Sequence, residues 1–358
     1  KCGIIIRSIQ TNKVLNSTRI HSTELNREQS ATEIKDSTAN DCLSGKLLLF
    51  ISFNFLNTSN QHIALKGVTN SLILCERISN MNEKEVSAFI DTALENGANF
   101  FDHADIYGGG KSEEVFGKAV SPSMRDNIII QTKCGIRRGM FDFSYDHIVN
   151  SVEGSLQRLG TDYIDVLLLH RPDALMEPEE VAKAFSHLKE TGKVRHFGVS
   201  NQNPYQMQLL QSCLDMPLCA NQLQFSIMHA PMIQSGINVN MYNESAVNRD
   251  GGVLDYCRLN NITIQPWSPM QYGFFEGCFV DNEKFPELNA VLEKLANKYG
   301  VSKTSVSIAW ILRHPAKMQP ITGTTNLQRL KDSFSATEFT LSREEWYEIY
   351  RAAGNILP

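Results

Sequence analysis

The sequence predicts an α/β fold, a closed (β/α)8 TIM barrel, and three observations carry that expectation. From about residue 67 onward, short apolar runs of strand length alternate with segments whose apolar residues recur at helical spacing. Strands joined by such crossovers are parallel, and eight units fit in about 260 residues, the length of a closed barrel. A doubly wound open sheet would carry a glycine-rich phosphate turn after an early strand, and no G-x-G-x-x-G follows Ser71–Cys75.

Taken in order, Ser71–Cys75 reads as the first strand. Asn82-Glu83-Lys84-Glu85 opens a helix, with Val86, Phe89, Ile90, Ala93 and Leu94 on one face and Gly97 at its end. The remaining strands are Asn99–Asp102, Ile128–Lys133, Ile164–His170, Val194–Ser200, Cys219–Leu223, Ile262–Pro266 and Gln319–Gly323. Helices are expected over Ser144–Leu159, Pro178–Thr191, Pro204–Cys213, Val253–Leu259, Leu288–Tyr299 and Lys303–Arg313, and a further helix carries Arg329. At the end of the first strand, Glu76 and Arg77 bring polar bulk towards the barrel mouth unless the register is shifted.

Residues 1–66 differ from the barrel-like part, 67–358. Ser, Thr and Asn fill 21 of those 66 positions, and the segment carries +3 while the remainder carries −8. So polar a stretch buries too little apolar surface to offset chain entropy, and it reads as a partly disordered segment. Within it, only Leu47–Phe55 and His62–Leu65 could contribute a hairpin. Glu24, Glu28, Glu33, Asp36 and Asp41 argue against a transit peptide.

Over the whole chain of 358 residues the net charge is −5, which speaks against a nucleic-acid partner. No apolar run of about 18 residues marks a membrane span. The eight cysteines are scattered without a C-x-x-C pair, read as buried free thiols, and fit a reducing, cytoplasmic setting.

In such barrels the chemistry sits at the C-terminal strand ends. Those ends offer Asp102 and Tyr107, then Lys133, His170, Ser200-Asn201, Gln222, Trp267-Ser268 and Gly323-Thr324-Thr325-Asn326. An apolar strand ending in Lys, as in Ile128-Ile129-Ile130-Gln131-Thr132-Lys133, aims an ammonium into the mouth. Read as metal ligands of a barrel hydrolase, Asp102-His103-x-Asp105 would need Asp102 and His103 to face the same way, which strand alternation forbids if the strand runs through 103.

The segment Phe101-Asp102-His103-Ala104-Asp105-Ile106-Tyr107-Gly108, with Lys133 and His170, resembles the aldo-keto reductase superfamily, most closely its bacterial predicted-oxidoreductase branch. Gly198-Val199-Ser200-Asn201, Asn221-Gln222 and Ile321-Thr322-Gly323-Thr324-Thr325-Asn326 extend the resemblance over about residues 67–335. It implies a catalytic tetrad of Asp102, Tyr107, Lys133 and His170, and a small-molecule carbonyl or alcohol substrate. Tyr107 would donate the proton in reduction and accept it in oxidation. Lys133 would make the phenol more acidic, Asp102 would hold the ammonium, and His170 would hydrogen-bond the substrate oxygen.

The resemblance also implies an extended nicotinamide cofactor, with Ser200, Asn201 and Gln222 at the carboxamide and Trp267 stacked on the ring. Ser268, Gly323, Thr324, Thr325 and Arg329 would complete the cofactor site, Arg329 taking a 2′-phosphate. Many relatives have Lys where this chain has Gly323, so NAD(H) stays open beside the favoured NADP(H). A second reading is a cofactor-binding regulatory barrel with little turnover.

Overall fold

A computed structural model describes residues 72–358. The segment 1–66 and its two hairpin candidates lie outside the described residues. Eight parallel strands follow one another around the barrel: β1 (Leu72–Leu74), β2 (Phe100–Asp102), β3 (Ile129–Cys134), β4 (Ile164–Leu169), β5 (Val194–Ser200), β6 (Leu218–Gln224), β7 (Thr263–Trp267) and β8 (Ile321–Thr322). Each pairs with the next from β1 to β7, and β8 returns to pair with β1. Between β7 and β8 the Gln319 N–H donates to the Ile264 carbonyl at 2.9 Å, so the cylinder is nearly closed.

Between the strands run α1 (Glu83–Glu95), α2 (Lys111–Ala119), α3 (Tyr145–Leu159), α4 (Pro178–Glu190), α5 (Pro204–Gln211), α6 (Val253–Leu259), α7 (Pro286–Tyr299) and α8 (Lys303–Leu312); α9 (Leu327–Phe334) and α10 (Arg343–Ala352) follow. Their starts are written locally. Asn82, Ser144, Asn203 and Ser342 each accept a backbone N–H three residues on, and Asn82, Asn203 and Ser342 complete reciprocal capping boxes.

Alternation along the strands sorts the side chains into two cores. Outward residues such as Leu167, Leu169, Phe197 and Val199 pack against helices. Inward residues Phe100, Val166, Leu168, Ala220 and Ile321 form a separate buried cluster inside the cylinder. Beside them the barrel interior is polar, with Asp102, Gln131, Lys133, Gln222 and Gln265 all buried.

The structure refines the sequence expectations at three points. Glu76 and Arg77 sit where the chain turns after β1 into a short 3-10 helix, Glu76–Asn80; both side chains are exposed, and the Glu76 charge still reaches Tyr107. Cys278 is exposed rather than buried. The helix α2 was not foreseen, because it opens behind Gly108-Gly109-Gly110 and carries Gly117 in its interior. That glycine is what lets α2 cross the end of α3, since a Cβ there would lie 2.5 Å from the Leu159 carbonyl oxygen. Backbone cannot yield as a side chain can, so Gly117→Ala should lower stability by about 1–3 kcal/mol. Urea unfolding followed by circular dichroism would read this as a lower midpoint at unaltered slope.

Candidate active site

The site begins with a period of two. On β3, Gln131 and Lys133 share the inward face, and on β2 Asp102 points inward while His103 turns out. The His103 ring packs on Phe116 of α2, 4.4 Å between centroids, and burial pushes its pKa down to about 3. Its ring is therefore neutral, and it faces away from the mouth.

The Lys133 ammonium is buried and fully engaged. It donates to Asp102 Oδ2 at 2.7 Å, to the His103 carbonyl at 2.7 Å and to the Tyr107 hydroxyl at 3.1 Å. Three donors meet three acceptors, so the phenol oxygen accepts from lysine and keeps its own hydrogen for another partner. Asp102 Oδ1 accepts from Gln131 Nε2 at 2.6 Å and Gln222 Nε2 at 2.8 Å. Gln265 in turn meets Gln131, with 3.0 Å from Gln131 Nε2 to Gln265 Oε1.

Burial pushes the Tyr107 phenol up to about 12, although the Lys133 charge pulls it down. Lys133 acts in the expected direction, making the phenol more acidic than burial alone would leave it, but loss of water around the phenolate outweighs the cation. Lys133 itself is raised, because Asp102 and the Tyr107 oxygen offset its burial, and it stays charged. His170 follows β4, with its ring 5.9 Å from that of Tyr107. Burial and the neighbouring Lys133 and Arg171 charges hold it well below its usual value, so the imidazole is neutral.

Beyond the tetrad a chain of hydrogen bonds crosses the mouth. Trp267 Nε1 donates to Asn201 Oδ1 at 3.2 Å, and Asn201 Nδ2 donates to Ser200 Oγ at 2.7 Å. Ser200 Oγ reaches the Gln222 carbonyl at 3.4 Å, and Gln222 leads on to Asp102. Asn201 and Ser268 sit at left-handed backbone angles, φ 57° and 53°, which turn these two strand ends sharply at the rim. After Ser268 the chain forms a hairpin, Gln271–Tyr272 against Gly277–Cys278, whose tip residues Phe274 and Phe275 pack on Trp267.

Gly323, Thr324 and Thr325 follow β8 in the loop before α9, with no hydrogen bond to the tetrad among the described residues. Arg329 on α9 is exposed, and its charge is felt at Cys278 on the hairpin. The hairpin and α9 thus lie near one another at the rim.

Behind Tyr107 lies a buried polar cluster that the sequence reading missed. Glu113 accepts from Thr132 Oγ1 at 2.6 Å and Arg158 Nε at 2.7 Å. Burial, reinforced by the Glu113 charge, pushes Asp105 up to about 7, and its Oδ1 has no partner. The only sequence signal was an acid two residues before the tyrosine.

Comparisons with known proteins agree with this architecture. A family model for the aldo/keto reductase family matches residues 74–353. The uncharacterized oxidoreductase YcsN of Bacillus subtilis is 37% identical over 287 residues, 76% of this chain and 89% of that protein. A 6-dehydroglucose reductase of Agrobacterium fabrum is 36% identical, covering 75% of this chain and 87% of its own length. Among solved structures, a thermostable aldo-keto reductase bound to the inhibitor epalrestat superposes with a TM-score of 0.65 at 25% identity, covering 80% of this chain and 95% of that one. An aldo-keto reductase from Klebsiella pneumoniae in complex with NADPH shares the fold, with TM-score 0.66 at 22% identity over 81% of this chain and 93% of its own.

The Asp105 carboxyl has a pH signature. Its folded-state pKa is raised, so the native state holds this proton more tightly than the unfolded chain does. The stability it lends is full below about pH 4 and is lost as pH rises through about 7. Asp105→Asn should therefore gain stability over the native protein progressively between about pH 4 and 7, and level off above. The gain should be on the order of 2 kcal/mol after allowance for partial exposure. Chemical denaturation at pH 5 and 8 would test it; an equal difference at both would refute the assignment.

Proposed function

Because the chain belongs to the aldo/keto reductase family of oxidoreductases, which interconvert carbonyls and alcohols with a nicotinamide cofactor, we propose that Tyr107 is its general acid and base. The observation that carries this reading is the saturated Lys133 ammonium. With its three hydrogens given to Asp102, His103 and Tyr107, it fixes the phenol oxygen and leaves the phenol hydrogen free to point at a substrate oxygen. His170, neutral beside it, donates one N–H to the same oxygen and steadies the charge that develops there. Asp102 touches neither proton nor substrate; its role is to hold Lys133.

A nicotinamide group fits the residues present. Thr322 at the end of β8 has a buried hydroxyl without a partner among the described residues, and the next residues run bare of charge into α9. Arg329 has an exposed guanidinium without an ion-pair partner among the described residues. Trp267 is partly buried at the rim, tied to Asn201. In this reading Ser200, Asn201, Gln222, Trp267 and Ser268 hold the nicotinamide end, while Gly323, Thr324, Thr325 and Arg329 hold the adenosine end. When bound, the cofactor supplies or takes up the hydride. We assign NADP(H) as the preferred form because Arg329 can pair with a 2′-phosphate. Free thiols, with Cys75, Cys134 and Cys257 buried, fit a reducing compartment such as the cytoplasm.

A phenol near 12 keeps its proton at neutral pH, so the donating form is fully populated and the phenolate needed as a base is scarce. Reduction of a simple aldehyde should therefore show no titration of this tyrosine between about pH 6 and 9, whereas alcohol oxidation should climb with pH across that range. Tyr107→Phe should lower kcat for reduction by about 10²- to 10⁴-fold while cofactor still quenches tryptophan fluorescence. Equal rates in this variant and the native protein would remove the proton-donor assignment. Cofactor binding with no turnover of any carbonyl would instead favour a sensor.

For the cofactor, Arg329→Ala should lower kcat/KM for NADPH by about 10- to 100-fold, the worth of a charged hydrogen-bonded pair, and barely alter that for NADH. A native preference for NADH would overturn the NADP(H) assignment.

A further inference from the structure

One charged group at the mouth has no part in the chemistry above. Arg171 follows β4 directly, one residue past His170, on the rim where the carbonyl would be reduced. Its guanidinium lies over the Trp267 ring, 5.4 Å from the centroid. The side chain is partly buried, and burial lowers its pKa while the Tyr107 oxygen opposes that. Arg171 also helps to keep His170 neutral. Both effects place the guanidinium within electrostatic reach of the two groups that would hold the substrate oxygen.

This cation has no ion-pair partner among the described residues. Among the described residues Arg171 has neither ion pair nor hydrogen bond. Asp173, the acid nearest in sequence, is committed elsewhere: Oδ2 accepts the Phe143 N–H at 3.0 Å and Oδ1 the Leu175 N–H at 2.9 Å. Lys133, the other cation here, is matched by Asp102 at 2.7 Å. Arg171 is therefore a cation without an ion-pair or hydrogen-bond partner among the described residues, partly removed from water and supported on one side by an indole face. Such a charge costs free energy unless an anion meets it, and a guanidinium offers a carboxylate two parallel N–H donors.

We propose that Arg171 is a specificity-determining residue that binds the carboxylate of an anionic carbonyl substrate, one whose reacting carbonyl lies at Tyr107 and His170. This rests on the oxidoreductase reading and narrows it to oxo-acids. The carboxylate is a second group on the substrate, separate from the reacting carbonyl. A neutral analogue of the same shape loses the paired hydrogen bonds but can still present its carbonyl to the tetrad.

The test compares 4-carboxybenzaldehyde with its methyl ester, 4-formylbenzoate methyl ester, under NADPH, in the native protein, Arg171→Ala and Arg171→Lys. The native protein should favour the carboxylate in kcat/KM by about 10- to 100-fold. Arg171→Ala should bring the two substrates within about threefold of one another, with the loss falling on the carboxylate and the KM for NADPH held. Arg171→Lys should keep the charge but not the fork, and recover part of the preference. A native protein without preference, or an alanine variant losing both substrates equally with a raised NADPH KM, would overturn the proposal. The latter result would mean that Arg171 serves Trp267 and the cofactor site.

If the native protein reduces neither aldehyde, binding takes the place of turnover as the readout. Calorimetric binding of 4-(hydroxymethyl)benzoate and its methyl ester in the presence of NADP+ then still reads the Arg171 contact. Tighter binding of the carboxylate, lost in Arg171→Ala, would support the contact, and equal binding would sink it.

Discussion

The arrangement depends on a buried ion pair inside the barrel. Lys133 and Asp102 are almost wholly shielded, with side-chain exposures of 1% and 0%. Stripping water from two such charges costs several kcal/mol per ion, and their attraction alone does not guarantee a net gain. The pair persists because nothing in it is left unsatisfied: two glutamine amides fill the second carboxylate oxygen, and a carbonyl and a phenol fill the remaining lysine hydrogens. Those partners come from β3 and β6 and from the segment after β2. A closed cylinder is what brings inward residues of separated strands onto one carboxylate. The ion pair and the closure are therefore a single constraint seen from two sides.

Much of this was legible in the sequence because it follows periodicity. Ile128–Lys133 and Ile164–His170 announce strands that end on a polar residue, and Asn82 and Ser144 announce their helices. The resemblance in Phe101–Gly108, with Lys133 and His170, then named the four residues that now stand together. What escaped was of two kinds. Gln131 and Gln265 looked like ordinary strand residues, since a lone amide in an apolar run says nothing of a partner 134 positions away. The helix α2 escaped because Gly117, a poor helix former, sits where close packing against Leu159 demands it. Tertiary contact overrode local preference there. The acidity of Tyr107 escaped for a related reason: the sequence shows the cation but not the depth of burial, and burial decided the sign.

The tyrosine poses a further mechanical question, because it lies on no strand. It falls in a short turn before three glycines with positive φ, a stretch with little intrinsic stiffness. Its position is set from behind. The Asp105 N–H donates to the Lys133 carbonyl at 3.1 Å and the Tyr107 N–H to the Ala104 carbonyl at 3.1 Å. Ser112 Oγ donates to the Glu76 carbonyl at 3.0 Å, tying the start of α2 to the turn after β1. Gly110 lies so close to Arg158 that a Cβ would come within 2.9 Å of its Cδ, and Arg158 is itself pinned by Glu113.

These contacts explain why acidic groups crowd behind a residue whose phenolate they would disfavour. Arg158 is bonded to Glu113, whose charge adds to burial at Asp105, so the cost falls on Asp105, which is driven towards neutrality. The Tyr107 hydroxyl, on the inward side, is governed instead by burial, Lys133 and Asp102, with a smaller push from Glu76. Positioning and proton transfer are thus handled by separate charge clusters on the two faces of one short segment. The alternation that sends Asp102 inward and His103 outward is what keeps them apart.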